Sequence, residues 1–408
     1  MLSVCKDCLI STYKHYQRHI IYVIALLLLA VVVLLFVKII KDKKAKKPLT
    51  LKDIQIEKLL KRKERKTDKA LIDSAIKDKV VCVTGGAGSI GSEICRQVLN
   101  AGCSHLVVID YHENGMFYLE QEFSKKYEKS KYTLIIATVR EKEKIEQVFS
   151  TFKPQIVFHA AAYKHVPMME FAPAEAIKTN LFGTKNVIEC AERNGVEKFV
   201  LISTDKAVNP SSVMGATKRL AEMLIQTRGK SSKTKMSAVR FGNVLGSSGS
   251  VVLTFIDQIN KGGPITLTDR NIKRYFMSIP EAVKLVIQSS ALIKGGEVFT
   301  LDMGEAVPIY DLAVSLIKQA GYKENEDIKI EITGLRPGEK LFEELRYEKE
   351  FVSTTLCEDI FVNKLEDINE VDFNKHLDKL NKLAQAENDK EIEKEIFSIV
   401  PNVYRADN

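Results

Sequence analysis

Residues 79–99 read KVVCVTGGAGSIGSEICRQVL, and the fold is decided there. Val80 to Val83 form an apolar run with the length of a buried parallel strand. Gly85, Gly88 and Gly91 follow as G-x-x-G-x-x-G, with Ser89 and Ile90 between the last two. Ile94, Cys95, Val98 and Leu99 then recur at helical spacing. A strand that runs through glycines into a helix brings backbone N–H groups to a helix N-terminus, where a pyrophosphate binds. The next strand, residues 105–109, ends in Asp110, roughly 20 residues beyond the glycines, the usual position of the ribose-binding acid. A carboxylate there accepts from a ribose 2′-hydroxyl and repels a 2′-phosphate, so NAD is expected over NADP.

Further strands are expected at residues 132–137, 155–158, 200–203 and 236–239, with helical patterns between them. The expectation is therefore an α/β fold, a Rossmann-type doubly wound parallel sheet whose ligands bind off the carboxyl ends of the strands. Ala160, Ala161 and Ala162 follow the fourth strand, and their small side chains let the nicotinamide half of a cofactor approach the backbone. The fifth strand runs into LISTDKAVNPSSVMGATK at 201–218. Thr204, Asp205 and Lys206 sit where that strand stops. Met214 and Lys218 are four apart and share one face of the following helix. An acid, a potential base, a hydroxyl and a second lysine thus gather near one cleft. The plain alternative is a strand–loop–helix with solvated charges.

The segment 203–222, STDKAVNPSSVMGATKRLAE, resembles the active-site segment of the nucleotide-sugar 4,6-dehydratases of the extended short-chain dehydrogenase/reductase superfamily. It is most similar to the membrane-associated UDP-N-acetylglucosamine 4,6-dehydratases of bacterial polysaccharide and glycan biosynthesis. The resemblance covers Asp78 to Tyr347. It includes the glycine turn, KHVP at 164–167, RFGNVLGSSGSV at 240–251 and GLRPGEK at 334–340. The superfamily usually carries Tyr-x-x-x-Lys; here Met214 takes the tyrosine position, as in a subgroup of the family, and Lys218 is kept. Thr138 stands where an aspartate usually contacts adenine.

The resemblance implies a reaction on UDP-GlcNAc in which C4 is oxidised, water leaves across C5–C6 and C6 is reduced, with NAD regenerated. It implies Lys206 as the base at C5 and Asp205 as the acid at the C6 oxygen. Burial against the sugar is expected to raise the Asp205 pKa and lower that of Lys206. Met214 has no titratable proton, so Thr204 is expected to orient the C4 hydroxyl while water or Asp205 receives its proton. Lys218 would hold the nicotinamide ribose. Lys164 and His165 match the rim of the site, and Asn180 matches a helix position that supports the strand ends. Asn243 matches a sugar-nucleotide contact, Arg274 and Arg336 are candidates for the diphosphate, and Glu339 for the uridine ribose. No metal is expected. A sugar-nucleotide 4-epimerase on the same fold and a catalytically silent, nucleotide-binding membrane scaffold are the alternatives.

Upstream, residues 20–37 form 18 positions without a charge, long enough to span a bilayer, and Ile39 and Ile40 extend the run past Lys38. Residues 1–19 are then a tail, 20–40 a transmembrane helix and 41–77 a basic linker. Residues 38–66 hold 13 Lys/Arg against 4 Asp/Glu, and this flank accounts for the net charge of +8. Nucleic-acid binding is therefore not expected. The asymmetry predicts a single-pass protein of the cytoplasmic membrane with its catalytic domain inside. The basic flank would lie against anionic headgroups or stand solvated as a linker helix. Residues 78–347 are expected to form the catalytic domain, with a substrate lobe mainly at 244–347. Residues 348–408 read as a charged helical extension, and a homo-oligomer is expected. A chain lacking its first 66 residues is expected to stay soluble and active. Cys82, Cys95, Cys103 and Cys190 read as buried reduced thiols, and Cys5 and Cys8 as a lone CxxC.

Overall fold

The computed structural model describes residues 15–17, 19–35, 48–60, 62, 64–65, 67–347, 351–364 and 367–400. Residues 1–49 and 50–408 form separate units. The first contains the helix His15–Leu35, whose 21 residues and mean hydropathy of 2.7 make it long and apolar enough to cross a membrane. The expected end of the span at Ile40, and Cys5 and Cys8, lie outside the described residues.

The second unit is built on nine strands: β1 (Val80–Thr84), β2 (His105–Asp110), β3 (Tyr132–Ile136), β4 (Ile156–His159), β5 (Lys198–Ile202), β6 (Lys235–Arg240), β7 (Glu297–Leu301), β8 (Phe351–Thr354) and β9 (Ile360–Lys364). Their order in the sheet is β8-β9-β7-β6-β5-β4-β1-β2-β3. Strands β1 to β7 run parallel; β9 pairs antiparallel with β7, and β8 with β9. The winding reverses between β1 and β4, which opens a crevice at their carboxyl ends.

Period-two alternation sends side chains to both faces, and both faces are covered. Cys82, Val107 and Ile109 pack with Val187 and Ile188 of helix Thr184–Arg193 and with Leu220 and Leu224 of helix Val213–Gly229. Val81, Val83, Leu106 and Val108 pack on the opposite face with Ile94 and Val98 of helix Ser89–Asn100 and with Val283 and Val286 of helix Ile279–Ser289. Cys82, Cys95, Cys103 and Cys190 are buried free thiols within these layers.

Two expected boundaries are drawn elsewhere by the structure. The segment after Tyr347 is not simply a helical extension, because β8 and β9 complete one edge of the sheet. Its helices Glu370–Gln385 and Asp389–Ile399 bury Phe373, Leu377, Leu380, Ile392 and Ile396 in the core that holds helix Val213–Gly229. At about 1.5–3 kcal/mol for each fully buried large apolar side chain, that packing makes them part of the catalytic unit. The second boundary is upstream: the unit begins at Thr50, within the expected linker. Ile54, Leu59 and Leu60 are buried. Arg62 contacts the buried Glu281 at 2.6 Å, and Arg65 contacts Asp302 at 2.8 Å and Asp359 at 3.4 Å. The two arginines meet carboxylates of the second unit instead of headgroups, and the described residues of 50–65 form a strap along it.

Candidate active site

The glycine turn is shaped by steric demand. Gly85 has φ 69°, and a Cβ placed on it would lie 2.5 Å from the Ala161 nitrogen; one on Gly91 would lie 2.1 Å from the Gly85 oxygen. Only glycine fits either position, so the turn closes tightly against Ala160–Ala162 at the end of β4. Gly88 caps helix Ser89–Asn100 without a side-chain hydrogen bond, and the first turn holds no acidic residue. The helix N-terminus therefore keeps its positive character for an anion. Asp110 is buried, and its carboxylate accepts from the Ala87 N–H at 2.9 Å and the His112 N–H at 2.9 Å. The expected ribose acid is thus tied to the glycine turn. Ser89 and Ile90 open the helix, and the Ser89 hydroxyl accepts from the Ser248 N–H at 3.0 Å.

At the end of β5, Thr204 donates to Asp205 Oδ1 at 2.9 Å, and Lys206 Nζ donates to the same oxygen at 3.0 Å. The Asp205 side chain is fully buried, and its Oδ2 has no hydrogen-bond partner among the described residues. Lys206 Nζ also reaches Asn243 Oδ1 at 3.3 Å and Glu343 Oε1 at 3.4 Å. Burial disfavours the Lys206 ammonium, but the charges of Asp205 and Glu343 outweigh it, and the pKa stands above the ordinary lysine value. This is opposite to the expected shift, because two carboxylates face one amine. Helix Val213–Gly229 begins against this loop: a Cβ at position 215 would lie 2.2 Å from the Lys206 carbonyl oxygen, which explains the glycine after Met214.

Met214 and Lys218 are both buried on that helix. Lys218 makes no hydrogen bond or ion pair with the described residues, and burial, against the pull of Glu222, brings its pKa down to about 8. A buried ammonium without a partner suits a polyhydroxyl ligand. Asn180 Oδ1 accepts from the Tyr163 N–H at 2.8 Å, and its Nδ2 donates to the Tyr163 carbonyl at 3.0 Å, so it splints the chain leaving β4. Lys164 Nζ donates to the Ser248 carbonyl at 2.7 Å. The His165 ring lies over Gly249. Lys164 and His165 are thereby brought together with loop 247–250.

The two candidate diphosphate arginines part company. Arg274 is buried, and it donates to the carbonyls of Lys273, Leu341 and Lys340 at 2.8, 3.1 and 2.7 Å. Its guanidinium thus serves backbone carbonyls of two neighbouring segments. Arg336 is exposed, and its side chain makes no hydrogen bond or ion pair with the described residues. Glu339 accepts from Thr268 Oγ1 at 3.2 Å and from the Arg336 N–H at 3.3 Å.

Sequence reading missed several residues around this centre. His159, at the end of β4, bridges Thr84 Oγ1 at 2.6 Å and Thr184 Oγ1 at 2.9 Å, and burial, with the Lys218 charge, holds its pKa down to about 3. Behind Ser203, Glu222 receives Ser203 Oγ at 2.6 Å, Arg240 at 2.7 and 2.8 Å and Arg219 at 3.1 Å. Burial works against the Glu222 carboxylate, yet these donors keep its pKa below the usual range. One signal was available: an arginine closing the apolar strand MSAVR and a glutamate within an apolar helix call for each other.

The profile of the family described as "Polysaccharide biosynthesis protein" matches residues 81–365. The chain belongs to this polysaccharide biosynthesis protein family. Capsular polysaccharide biosynthesis protein CapD of Staphylococcus aureus is 52% identical over 318 residues, 78% of this chain and 53% of that protein. The chain therefore spans about half the length of such curated relatives, EpsC of Bacillus subtilis included. A UDP-N-acetylglucosamine 4,6-dehydratase (inverting) of Campylobacter jejuni is 34% identical over 65% of this chain and 76% of that enzyme. Among solved structures, Pen from Bacillus thuringiensis superposes with TM-score 0.66 and 37% identity, over 70% of this chain and 88% of its own. The UDP-glucose 4-epimerase of Thermus thermophilus, a complex with NAD, superposes with TM-score 0.57 and 26% identity, over 65% and 90%. The family match runs through β8 and β9, in keeping with their place in the sheet.

Proposed function

We propose that the chain is an NAD-dependent UDP-N-acetylglucosamine 4,6-dehydratase of surface-glycan synthesis. In this reading helix His15–Leu35 anchors it in the cytoplasmic membrane, with the catalytic unit inside. The observation that carries the reaction is the adjacent carboxylate and amine of Asp205 and Lys206 at the end of β5. Elimination across C5–C6 needs a base at C5 and an acid at the C6 oxygen. Epimerisation at C4 needs neither. A named 4,6-dehydratase at 34% identity and UDP-glucose 4-epimerases at 34–35% are equally similar to the chain, so the choice rests on the Asp205–Lys206 pair.

NAD fits the residues present: the Gly85 and Gly91 turn takes the pyrophosphate, Asp110 the adenosine ribose, Ala160–Ala162 the nicotinamide face and Lys218 its ribose. When bound, NAD supplies the reversible oxidation and reduction of the sugar. The chain's own residues move the protons. A proton shift across the 3.0 Å contact from Lys206 Nζ to Asp205 turns the ion pair into a neutral base and a neutral acid. Exclusion of water by the sugar favours that neutral pair. Lys206 then takes the C5 proton, and Asp205 gives its proton to the departing C6 oxygen. Thr204 orients the C4 hydroxyl, whose proton passes to water as C4 is oxidised, a task for which Met214 has no group. Arg336, whose side chain has no partner among the described residues, is the cation for the diphosphate, and Asn243 and Glu339 line the nucleotide side.

The test is mass spectrometry of UDP-GlcNAc incubated with the full-length protein and a catalytic amount of NAD. Loss of one water is expected. An unchanged mass with an altered sugar would replace this reading with an epimerase, and unaltered substrate would leave a nucleotide-binding scaffold.

A further inference from the structure

The loop that carries the acid–base pair is laced to one distant segment, residues 338–347. The Gly338 carbonyl accepts from Ser211 Oγ at 2.9 Å, and Lys340 Nζ donates to the Val208 carbonyl at 3.2 Å. Glu344 accepts from Asn209 Nδ2. Tyr347, buried beneath the guanidinium groups of Arg219 and Arg240, donates its hydroxyl to the Ala207 carbonyl at 3.1 Å. Four residues of the segment, Gly338, Lys340, Glu344 and Tyr347, thus grip the turn that follows Asp205. Arg274 fixes the segment in turn through the carbonyls of Lys340 and Leu341.

Within this clamp Glu343 is distinct, because its partner is the Lys206 side chain itself. Its carboxylate is almost fully buried and lies 3.4 Å from Lys206 Nζ and 3.7 Å from Arg274 Nε. Lys206 is therefore held between Asp205 on its own loop and Glu343 on the clamp, with Asn243 as a neutral third partner. We propose that Glu343 is a positioning residue of the reaction: from the clamp, 3.4 Å away, it aims the Lys206 amine and governs when that amine can act as a base.

The electrostatics around it are specific. The charged groups facing the Lys206 amine are Asp205, Glu343 and, repelling it, Arg274. Those facing Glu343 are Lys206 and Arg274, and Arg274 also approaches Glu339 at 3.7 Å. Two carboxylates against one amine favour the charged form. Once Asp205 holds its proton as the acid, Glu343 is the remaining negative charge on Lys206. It thereby limits how far the amine's proton affinity can fall and keeps the amine in place through the elimination.

The proposal rests on the reading of Lys206 as the base, so its test has one arm that needs no sugar. Full-length wild type, Glu343→Gln and Glu343→Asp would be pulse-acetylated with acetic anhydride across pH 6–11. Labelling of Lys206 is then read by peptide mass spectrometry, with circular dichroism to confirm folding. Loss of a carboxylate contact typically moves a partner's pKa by one unit or more. The half-labelling pH of Lys206 should fall by about one unit in Glu343→Gln and by less in Glu343→Asp, which keeps the charge but loses reach. In the second arm, the acidic limb of the kcat profile with UDP-GlcNAc should move the same way, with KM changed less than kcat. If folded Glu343→Gln leaves the half-labelling pH unmoved, the proposal is overturned, whatever the substrate. Should Glu343→Gln fail to fold, an unmoved half-labelling pH in Glu343→Asp overturns it equally. A shifted labelling curve with no turnover of UDP-GlcNAc in wild type would uphold the pairing and refute the proposed substrate.

Discussion

Arg62, in the strap that precedes the catalytic sheet, places its guanidinium 2.6 Å from the carboxylate of Glu281, a side chain with no exposed surface. Glu281 also receives the Arg65 N–H at 2.8 Å and closes a capping box with Ser278 at the start of helix Ile279–Ser289. Removing the partner of a buried charge is costly. Arg62→Ala is expected to destabilise the unit by about 3 kcal/mol, read as a lowered denaturant midpoint. The double variant with Glu281→Gln should lose less than the sum of the two singles. A chain starting at residue 67 should aggregate, while one starting at residue 48 should be soluble. Equal solubility of the two would refute the strap.

Asp205→Asn and Lys206→Met should each lower turnover of UDP-GlcNAc by about 10²-fold or more, the scale of a general acid or base. NAD affinity, measured by calorimetry, should be retained in both, since neither residue lines the glycine turn. Near-normal turnover in either variant would remove that residue from its assigned role.

Isotopes trace the protons and the hydride separately. Substrate deuterated at C4 is expected to yield product with that deuterium in the C6 methyl group of the same sugar. Unlabelled substrate in D₂O should gain deuterium at C5, where Lys206 exchanges its proton with solvent. Label returned to C4 of a sugar that has lost no water would indicate an epimerase.

Lys218 offers a stability test. Its folded pKa of about 8 lies below the ordinary lysine value of 10.5. Below pH 8 both folded and unfolded chains carry the proton, and the folded state bears the full cost of burying it. Between about pH 8 and 10.5 only the unfolded chain holds it, so wild-type stability gains as pH rises through that window. Lys218→Met should therefore be more stable than wild type at pH 7, by on the order of 3 kcal/mol, with the gap closing by pH 10.5. Cofactor affinity and turnover should fall in the same variant. A variant no more stable at pH 7 would contradict the buried ammonium.

The glycine turn, Asp110 and the Thr204–Lys206 loop were legible because each is a local pattern: a strand, a tight turn and a helix within one short stretch. The Glu222–Arg240 pair and the Glu343 contact to Lys206 were not, because they join residues 18 and 137 positions apart and depend on which helix faces which strand. The strap was hidden by its own composition. Its lysines and arginines dominate the reading, while Ile54, Leu59 and Leu60 are too sparse to announce a buried face. The strands after Tyr347 were obscured for a related reason. They are short, lie among charged residues, and gain their meaning only from the edge of β7 that they cover.

That edge has a consequence for the newborn chain. When β7 has left the ribosome, its outer side still presents a row of unmatched peptide groups, and β9 is about 60 residues away in sequence. Until β9 emerges, the sheet is an open template for pairing with another nascent copy. The helices that follow β9 then pack over the helix bearing Lys218, so the stretch translated after β7 both seals the sheet and completes the core behind the site.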